Sequence, residues 1–233
     1  MTGRSGGGSG RSTGGRSLGG RTRLKSRRGR SNSSARWLER QLNDPYVKRA
    51  QLEGWRARAA FKLIELDERF GLLQGADRVV DLGVAPGSWS QVLLKRRPKA
   101  TVVGIDLLEI EPLAGLTFVQ GDFLADGMDE RLIELMGGPA DLVMSDMAAN
   151  TVGHPPTDHL RTMALVEAAA DFAVRILRPG GTFVAKVLGG GAEGPLVAEL
   201  KRRFDSVRHA KPPASRKESS ETYLVAMGRK VDA

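Results

Sequence analysis

The chain lacks cysteine, which excludes disulfide bonds and thiolate metal sites in its 233 residues. This absence suits a reducing compartment, so we expect a cytoplasmic protein, and we expect no bound metal. No apolar run approaches the roughly 20 residues of a membrane-spanning helix, which favours a soluble protein with no membrane partner. Internal repeats are absent too. A chain of this length can bury a core of ordinary size, so one α/β domain with an additional segment is expected.

Acidic residues are missing from positions 1–34, which hold nine of the chain's 36 lysines and arginines. The other 27 balance the 27 aspartates and glutamates, so this segment carries the whole net charge of +9. It is rich in Gly and Ser and nearly free of apolar side chains, and such a composition cannot bury enough surface to offset chain entropy. We therefore predict a disordered basic tail over 1–34 and a folded domain over 35–233.

Three roles for this basic tail stay open. Its arginines can bind RNA phosphates and release condensed counterions. It can equally be a solubilising leader with no specific role. A mitochondrial transit peptide is also rich in Arg and Ser and poor in acids, although the stretches GGGSG and TGGR would break the amphipathic helix that such peptides form.

Strands and helices alternate along most of the chain. Helical spacing starts near Ser34 in ARWLERQLN, and a longer helix is predicted from about Tyr46 to Phe70. The predicted strands that follow are 78–83, 100–107, 116–122, 140–146, 181–188, 205–211 and 222–230, and the predicted helices are 88–96, 126–136, 158–177 and 193–204.

The strand sequences indicate the fold class. They are continuous Val, Ile and Leu runs, which indicate a sheet that is covered on both faces. The alternation predicts a Rossmann-like α/β fold, with a doubly wound, mostly parallel sheet of seven strands and helices on both faces. The last two strands lie too close together for a crossover helix, so we expect an antiparallel hairpin at one edge.

The turn after the first strand, in VVDLGVAPGSW, is unsuited to a dinucleotide. It lacks the G-x-G-x-x-G pattern that places a pyrophosphate at a helix N-terminus. Pro86 removes one amide donor, and Asp81 would repel a phosphate.

Acids also end the strands that follow. Ligands of doubly wound sheets bind at the carboxyl ends of the strands, and those ends carry Asp81, Asp106, Asp122, Asp146 and Lys186. An acid that ends the second strand can accept both ribose hydroxyls, and S-adenosylmethionine carries a ribose, a sulfonium and an ammonium group. A single such aspartate is more simply explained as a turn or N-cap residue, but four successive strand ends are not. The pattern predicts an S-adenosylmethionine site.

Several motifs, in order, give the sequence a resemblance to a known family. The stretches SSARWLERQLNDPYVKRAQ, RARAAFKLIEL, VVDLGVAPGSWSQ, GIDLL, QGDF, VMSDMAAN, LRPGGTFVAKV and SSETYLVAMGRK resemble bacterial ribosomal RNA methyltransferases of the FtsJ/RrmJ type, over about Ser34 to Lys230. The resemblance implies 2′-O-methylation of a uridine in the A loop of 23S rRNA on the large ribosomal subunit, with S-adenosylmethionine as cofactor. We expect a monomer.

The resemblance also implies roles for individual residues. The family's Lys-Asp-Lys-Glu catalytic set falls on Lys62, Asp146, Lys186 and Glu221. The cofactor-binding positions are expected at Asp81, Gly83, Gly87, Trp89, Asp106, Asp122 and Asp146. The chain departs from the family at three places: it has PGSW where PGGW is usual, SDMAAN for SDMAPN, and GGG after Lys186 where QGEG is frequent. None of these departures removes a catalytic residue.

Transfer of a methyl group to a 2′-hydroxyl requires a group that takes the hydroxyl proton. We expect Lys186, in its neutral form, to be this base, with Asp146 orienting it and Lys62 and Glu221 completing the network. Three of these four assignments have an alternative when the residue is considered alone: Lys186 as a strand-end lysine that reaches solvent, Lys62 as an exposed helix charge, and Glu221 as part of a solvated loop.

RNA contacts are predicted where basic and aromatic residues occur together, because such groups bind phosphates and stack on unpaired bases. The predicted contacts are Arg36, Tyr46, Lys48, Arg49, Arg56, Arg58, Arg216 and Lys217, with Lys201, Arg202 and Arg203 as further candidates. Trp37 and Trp55 can equally belong to a helix core. Two other functions compete: methylation of another RNA such as tRNA or a cap, and an inactive RNA-binding or ribosome-assembly factor, which the intact catalytic set disfavours.

Overall fold

The computed structural model describes residues 43–149, 153–189 and 194–231. Its helices are α1 (Pro45–Glu53), α2 (Ala59–Phe70), α3 (Ser88–Arg96), α4 (Met128–Met136), α5 (Pro155–Ile176) and α6 (Gly194–Arg203). Its strands are β1 (Arg78–Leu82), β2 (Thr101–Asp106), β3 (Leu116–Gln120), β4 (Ala140–Ser145), β5 (Leu177–Leu188), β6 (Phe204–Ala210) and β7 (Glu221–Arg229). The predicted basic tail and first helix, with Arg36 and Trp37, lie outside the described residues.

The seven strands form one sheet in the order β3-β2-β1-β4-β5-β7-β6. Neighbours from β3 to β5 run parallel, whereas β7 runs antiparallel to both β5 and β6. The predicted fold class is confirmed, including the antiparallel pair at one edge. The last strand of the chain is not the outermost one, because β7 lies between β5 and β6.

Apolar side chains on the two faces of the sheet form two main cores. One core packs α4, α5 and α6 against the sheet and includes Leu132, Phe172 and Leu200. The other packs α2 and α3 against the opposite face and includes Leu63 and Val92. Complete burial of a Leu or Phe side chain contributes about 1.5–3 kcal/mol, so the two cores fix the strands whose ends carry the polar residues.

The predicted helix from Tyr46 to Phe70 is wrong, because two helices occupy that region. The helix α1 ends at Glu53, and Gly54 follows with a φ of 74°, a left-handed conformation that favours glycine. The turn 54–58 is bound to α3: the Gln91 amide donates to the Gly54 carbonyl over 2.9 Å, and the Arg56 N–H donates to Gln91 Oε1 over 2.9 Å. Gly54, a glycine inside the amphipathic pattern, was the signal in the sequence that the helix is interrupted there.

Two other predicted boundaries differ from the structure by three residues or more. The fifth strand begins at Leu177, four residues earlier than predicted, because Leu177 pairs with Ala140 before the register shifts and Thr182 pairs with Leu142. The helix α5 begins at Pro155 rather than at 158, and proline is well suited to a first helical turn, where its missing N–H has no intrahelical partner.

The topology of the sheet has a switch point at β1. From β1 the chain adds β2 and β3 on one side and then β4 and β5 on the other. Ligands of open α/β sheets bind in the crevice at such a switch point. The compact unit that contains this sheet spans Tyr46–Ala233. Among the described helices, none is long and apolar enough to cross a membrane.

Candidate active site

A cavity of about 260 Å³ lies at the carboxyl ends of β1 to β4. Four of the predicted cofactor residues line it: Gly83, Asp106, Asp122 and Asp146. Leu107, Leu108 and Phe123 add apolar surface. Acids beside apolar side chains suit a ligand that combines a flat, weakly polar ring with hydroxyl or ammonium groups.

Glycine is required at two positions of the turn that follows β1. Gly83 has a φ of 78°, and a Cβ there would lie 2.9 Å from the backbone nitrogen of Met147. Gly87 has a φ of 95°, and a Cβ there would lie 2.9 Å from Nη1 of Arg56. Both the left-handed conformation and the close neighbours exclude a larger residue, so glycine at these positions lets the turn pack closely against Met147 and Arg56.

The carboxylates of Asp106 and Asp122 are held by the backbone. Asp106 accepts hydrogen bonds from the N–H groups of Ala85 and Leu108, each over 2.9 Å. Asp122 accepts one from the Leu124 N–H, also over 2.9 Å. The turn role considered from the sequence therefore applies to both aspartates. It does not exclude ligand binding, because a carboxylate oxygen can accept more than one hydrogen bond.

Asp81 is a buried carboxylate with an unused oxygen. Its side chain accepts a hydrogen bond from Ser90 Oγ at 2.7 Å, while Oδ1 has no hydrogen-bond partner among the described residues. Burial raises the pKa of Asp81 to about 7; the nearby Asp146 and Asp106 act in the same direction, and the Ser90 hydrogen bond opposes it. A cationic group beside this carboxylate would favour its ionised form.

The predicted catalytic residues form two lysine–carboxylate pairs. Lys186 Nζ lies 3.1 Å from Asp146 Oδ1 and donates to the Asp146 carbonyl over 2.6 Å. Lys62 Nζ lies 2.8 Å from Glu221 Oε1. The structure thus brings together one residue from α2, one that follows β4, one from β5 and one from β7, and Lys186 is 8% exposed rather than solvated.

Tyr223, which the sequence reasoning missed, links the two pairs. Its hydroxyl donates to Asp146 Oδ1 over 2.8 Å and lies 3.5 Å from Glu221 Oε1. Its ring centroid lies 5.8 Å from Lys62 Nζ. A signal was present: Tyr223 follows Glu221 by two residues in a strand, so both side chains lie on the same face of the sheet.

The charges of this network reinforce one another. Burial raises the pKa of Asp146, but the cations Lys186 and Lys62 and the Tyr223 hydrogen bond outweigh it and hold that pKa below its ordinary value. Burial, together with the charges of Asp146 and Glu221, holds the pKa of Tyr223 well above its ordinary value. Asp146 is therefore ionised and Tyr223 is a neutral donor at neutral pH.

The loop between β6 and β7 supports Glu221. Ser215, which is buried, donates from Oγ to Glu221 Oε1 over 2.8 Å. The loop is fixed to α2, since the Ala214 N–H donates to Glu65 Oε2 over 2.6 Å and Arg58 donates to the Ala214 carbonyl. Neither Ser215 nor Glu65 was predicted from the sequence. Glu65 binds Ala214, which is about 150 residues away, and Ser215 lies in a loop whose course the sequence does not indicate.

Three predicted cofactor residues are not among those that line the cavity: Asp81, Gly87 and Trp89. Trp89 is buried; its indole N–H donates to the Ala59 carbonyl over 2.9 Å, and its ring packs 5.7 Å from that of Tyr223. Trp89 thus packs against Tyr223 and helps to fix the position of that ring in the network.

The predicted RNA-binding residues divide into exposed and engaged side chains. Lys48 and Lys217 are exposed, and Arg216 is half-buried. Arg49 pairs with Glu53 at 2.6 Å but keeps 57% of its side chain exposed.

The remaining predicted contacts serve the protein itself. Tyr46, a predicted RNA contact, is half-buried: its hydroxyl donates to Glu65 over 3.0 Å and its ring packs 5.4 Å from Phe61. The guanidinium groups of Arg56 and Arg58 donate to backbone carbonyls.

Lys201, Arg202 and Arg203 lie near the end of β6 that is farther from the network. They precede the first residue of β6, whereas Ala210 at the other end of this strand pairs with Tyr223. A strand rises about 3.3 Å per residue, so the start of β6 is roughly 20 Å from the network.

The fold is that of a Rossmann-like methyltransferase. More particularly, the chain belongs to the FtsJ-like methyltransferase family, whose family model matches residues 55–229. The chain is 64% identical over 212 residues to the ribosomal RNA large subunit methyltransferase E of Rhizorhabdus wittichii, which covers 91% of this chain and 93% of that protein. It is 65% identical over 208 residues to the protein of the same name from Novosphingobium aromaticivorans, with 89% and 94% covered.

A solved structure is similar as well. A Plasmodium falciparum protein described as a ribosomal RNA methyltransferase superposes with a TM-score of 0.67 at 32% identity, covering 76% of this chain and 100% of that one. The predicted family resemblance is confirmed by these comparisons.

Proposed function

We propose that this protein transfers a methyl group from S-adenosylmethionine to the ribose 2′-hydroxyl of a uridine in the A loop of 23S rRNA, on the large ribosomal subunit. The observation that carries the proposal is the linked network of Lys62, Asp146, Lys186 and Glu221 beside an acid-lined cavity. Relatives that share over 60% of their sequence with the chain bear the name of a large-subunit rRNA methyltransferase. A ribosomal substrate fits a monomer in the cytoplasm.

The residues of the cavity fit S-adenosylmethionine. Asp106 and Asp122, which line the cavity, can accept hydrogen bonds from ribose and adenine. Asp81 does not line it, but it lies two residues before Gly83, which does, and its unpartnered Oδ1 can accept a hydrogen bond from an ammonium group. Gly83 contributes backbone to the cavity lining. When bound, this cofactor supplies an electrophilic methyl group on a sulfonium.

The chain's own residues would prepare the acceptor. Lys186 donates to both the carbonyl and the carboxylate of Asp146, which fixes the position of its Nζ. Lys186 would first release its proton to solvent, and its neutral amine would then take the 2′-hydroxyl proton and make the oxygen a better nucleophile. Lys62, paired with Glu221, balances the charge of the site and hydrogen-bonds the ribose. Tyr223 keeps Asp146 oriented throughout.

The RNA would contact the exposed basic residues of α1 and of the β6–β7 loop. Lys48 and Arg49 on α1 and Lys217 in the loop have exposed side chains that can contact phosphates, and the half-buried Arg216 precedes Lys217. Arg36 and the basic tail can extend this surface, through contacts that carry no sequence preference.

The experiment is transfer of radiolabelled methyl groups to large subunits, deproteinised 23S rRNA and tRNA, side by side. We expect label on the 2′-oxygen of one uridine in large subunits. Lys186→Ala should abolish transfer and leave cofactor affinity within a few fold, since the lysine serves the acceptor. Label on tRNA alone, or a variant that retains most of its turnover, would contradict the proposal.

A further inference from the structure

We propose that Arg56 is a positioning residue that holds the two walls of the cofactor cavity together, rather than an RNA contact. The inference rests on the proposed function, since it concerns the same cavity. The sequence places Arg56 among basic and aromatic residues, which is why an RNA role was expected for it. Its contacts in the structure lie elsewhere.

The guanidinium of Arg56 donates to three backbone carbonyls. Nη1 donates to the carbonyl of Pro86 over 3.0 Å and to that of Glu111 over 2.7 Å. Nη2 donates to the carbonyl of Pro112 over 2.7 Å. These carbonyls come from two different loops, one after β1 and one after β2.

Each of these loops forms one wall of the cavity. Pro86 follows Ala85, which lines the cavity, and Glu111 and Pro112 follow Leu107 and Leu108, which line it as well. The only covalent path between the loops runs through α3 and β2. Near the strands the two walls are joined directly, since the Ala85 N–H donates to the Asp106 carboxylate. Arg56 adds a second connection farther along both loops, at Pro86 and at Glu111 and Pro112.

The position of Arg56 is itself fixed. Its backbone N–H donates to Gln91 Oε1 over 2.9 Å, which ties it to α3. Its side chain packs against Gly87, where a Cβ would lie 2.9 Å from Nη1. Gly87, predicted as a cofactor residue, is thus needed as much for this arginine as for a ligand.

The chemistry of arginine distinguishes the two roles. A planar guanidinium can bind three carbonyls at fixed angles, which the single ammonium of lysine cannot reproduce. A phosphate contact, in contrast, is largely preserved by lysine, because it depends mainly on charge. Arg56→Lys is therefore the informative substitution, and Arg56→Ala shows the effect of complete loss.

The test measures cofactor and RNA binding separately. Calorimetry with S-adenosylmethionine should show an affinity loss of about tenfold or more for both Arg56→Lys and Arg56→Ala. The RNA affinity of Arg56→Lys, and its slope against salt concentration, should match the wild type. Lys48→Ala is the matched control, since that lysine is exposed on α1: it should weaken RNA binding and leave cofactor binding unchanged.

Two results would overturn the inference: wild-type cofactor affinity in Arg56→Lys, or an Arg56→Ala variant whose only defect is a salt slope lower by about one unit. Hydrogen exchange without any ligand separates this inference from the proposed function. Faster amide exchange in residues 84–90 and 107–115 of Arg56→Lys, with wild-type rates elsewhere, supports the role of Arg56 in holding the two walls together, even if the wild type does not bind S-adenosylmethionine. That last finding would overturn the proposed function alone.

Discussion

At the scale of single residues, the site depends on side chains that position other side chains through hydrogen bonds. Tyr223 places a neutral hydroxyl between the carboxylates of Asp146 and Glu221. Burial disfavours the ionised form of Asp81. The sequence identified Asp81 because it ends a buried strand next to a glycine turn. It did not identify Tyr223, because a tyrosine in an apolar strand has the pattern of a core residue and only the tertiary fold places Asp146 beside it.

Replacement of Tyr223 by Phe removes one hydroxyl and keeps the ring that packs on Trp89. Because a hydrogen bond to a carboxylate contributes about 1.5–3 kcal/mol, we expect kcat to fall about tenfold or more, with cofactor affinity within a few fold. Single-turnover methyl transfer and calorimetry would measure the two effects. An unchanged kcat would show that Asp146 needs no support from this hydroxyl.

Asp81 makes the stability of the ligand-free protein depend on pH. Its pKa is raised in the fold from 3.8 to about 7, so the folded state binds this proton more tightly than the unfolded state. The resulting stabilisation is full below the unfolded value and is lost as the pH rises through the folded value. We expect Asp81→Asn to flatten the decline in the free energy of unfolding over this interval, as measured by urea titration at several pH values.

A control for this prediction is Asp126→Asn, which alters an exposed carboxylate. It should reproduce the wild-type pH dependence. If the Asp81 and Asp126 variants behave alike, the buried carboxylate is not the source of the decline.

At the scale of elements, the β6–β7 loop supports the proposed catalytic residues, because Ser215 binds Glu221. It is joined to α2 through Glu65 and Arg58, and α2 also carries Lys62. The strands and most helices could be predicted, because their apolar runs reflect burial in the sheet. The division of the first predicted helix and the course of this loop could not, since both depend on contacts with distant segments such as Gln91 and Ala214.

Ser215→Ala removes the hydroxyl that binds Glu221 and leaves the Lys62–Glu221 pair in place. A single neutral hydrogen bond contributes about 0.5–1.5 kcal/mol, so kcat should fall roughly two- to tenfold. RNA affinity should stay unchanged, as measured by filter binding. Ser206→Ala, a half-buried serine of β6, is the matched control and should retain full kcat.

At the scale of the whole molecule, charge and chemistry are separated along the chain. Residues 1–34 carry the entire excess of positive charge, while the catalytic set lies between 62 and 221. The sequence alone allowed this separation to be predicted, because composition needs no knowledge of tertiary contacts. The role of the tail remains a proposal.

Deletion of residues 1–34 should leave cofactor binding and catalysis intact and weaken RNA capture. Each phosphate contact that is lost lowers the slope of log affinity against log salt by close to one unit. RNA of any sequence should be affected alike, since a Gly-rich basic segment offers no base-specific contacts. Equal slopes for the full-length and shortened proteins would mean that the tail is a passive leader or is removed in the cell.

The position of β7 has a consequence for synthesis of the protein. The ribosome makes β6 before β7, yet β6 joins the sheet only through β7. Until residues 221–229 are released, β5 presents an open edge and β6 has no strand to pair with, a state prone to association with other chains. The same segment delivers Tyr223 and Glu221. Completion of the sheet and assembly of the lysine–carboxylate network therefore require the same segment, and we expect a chain cut short before β7 to lack both.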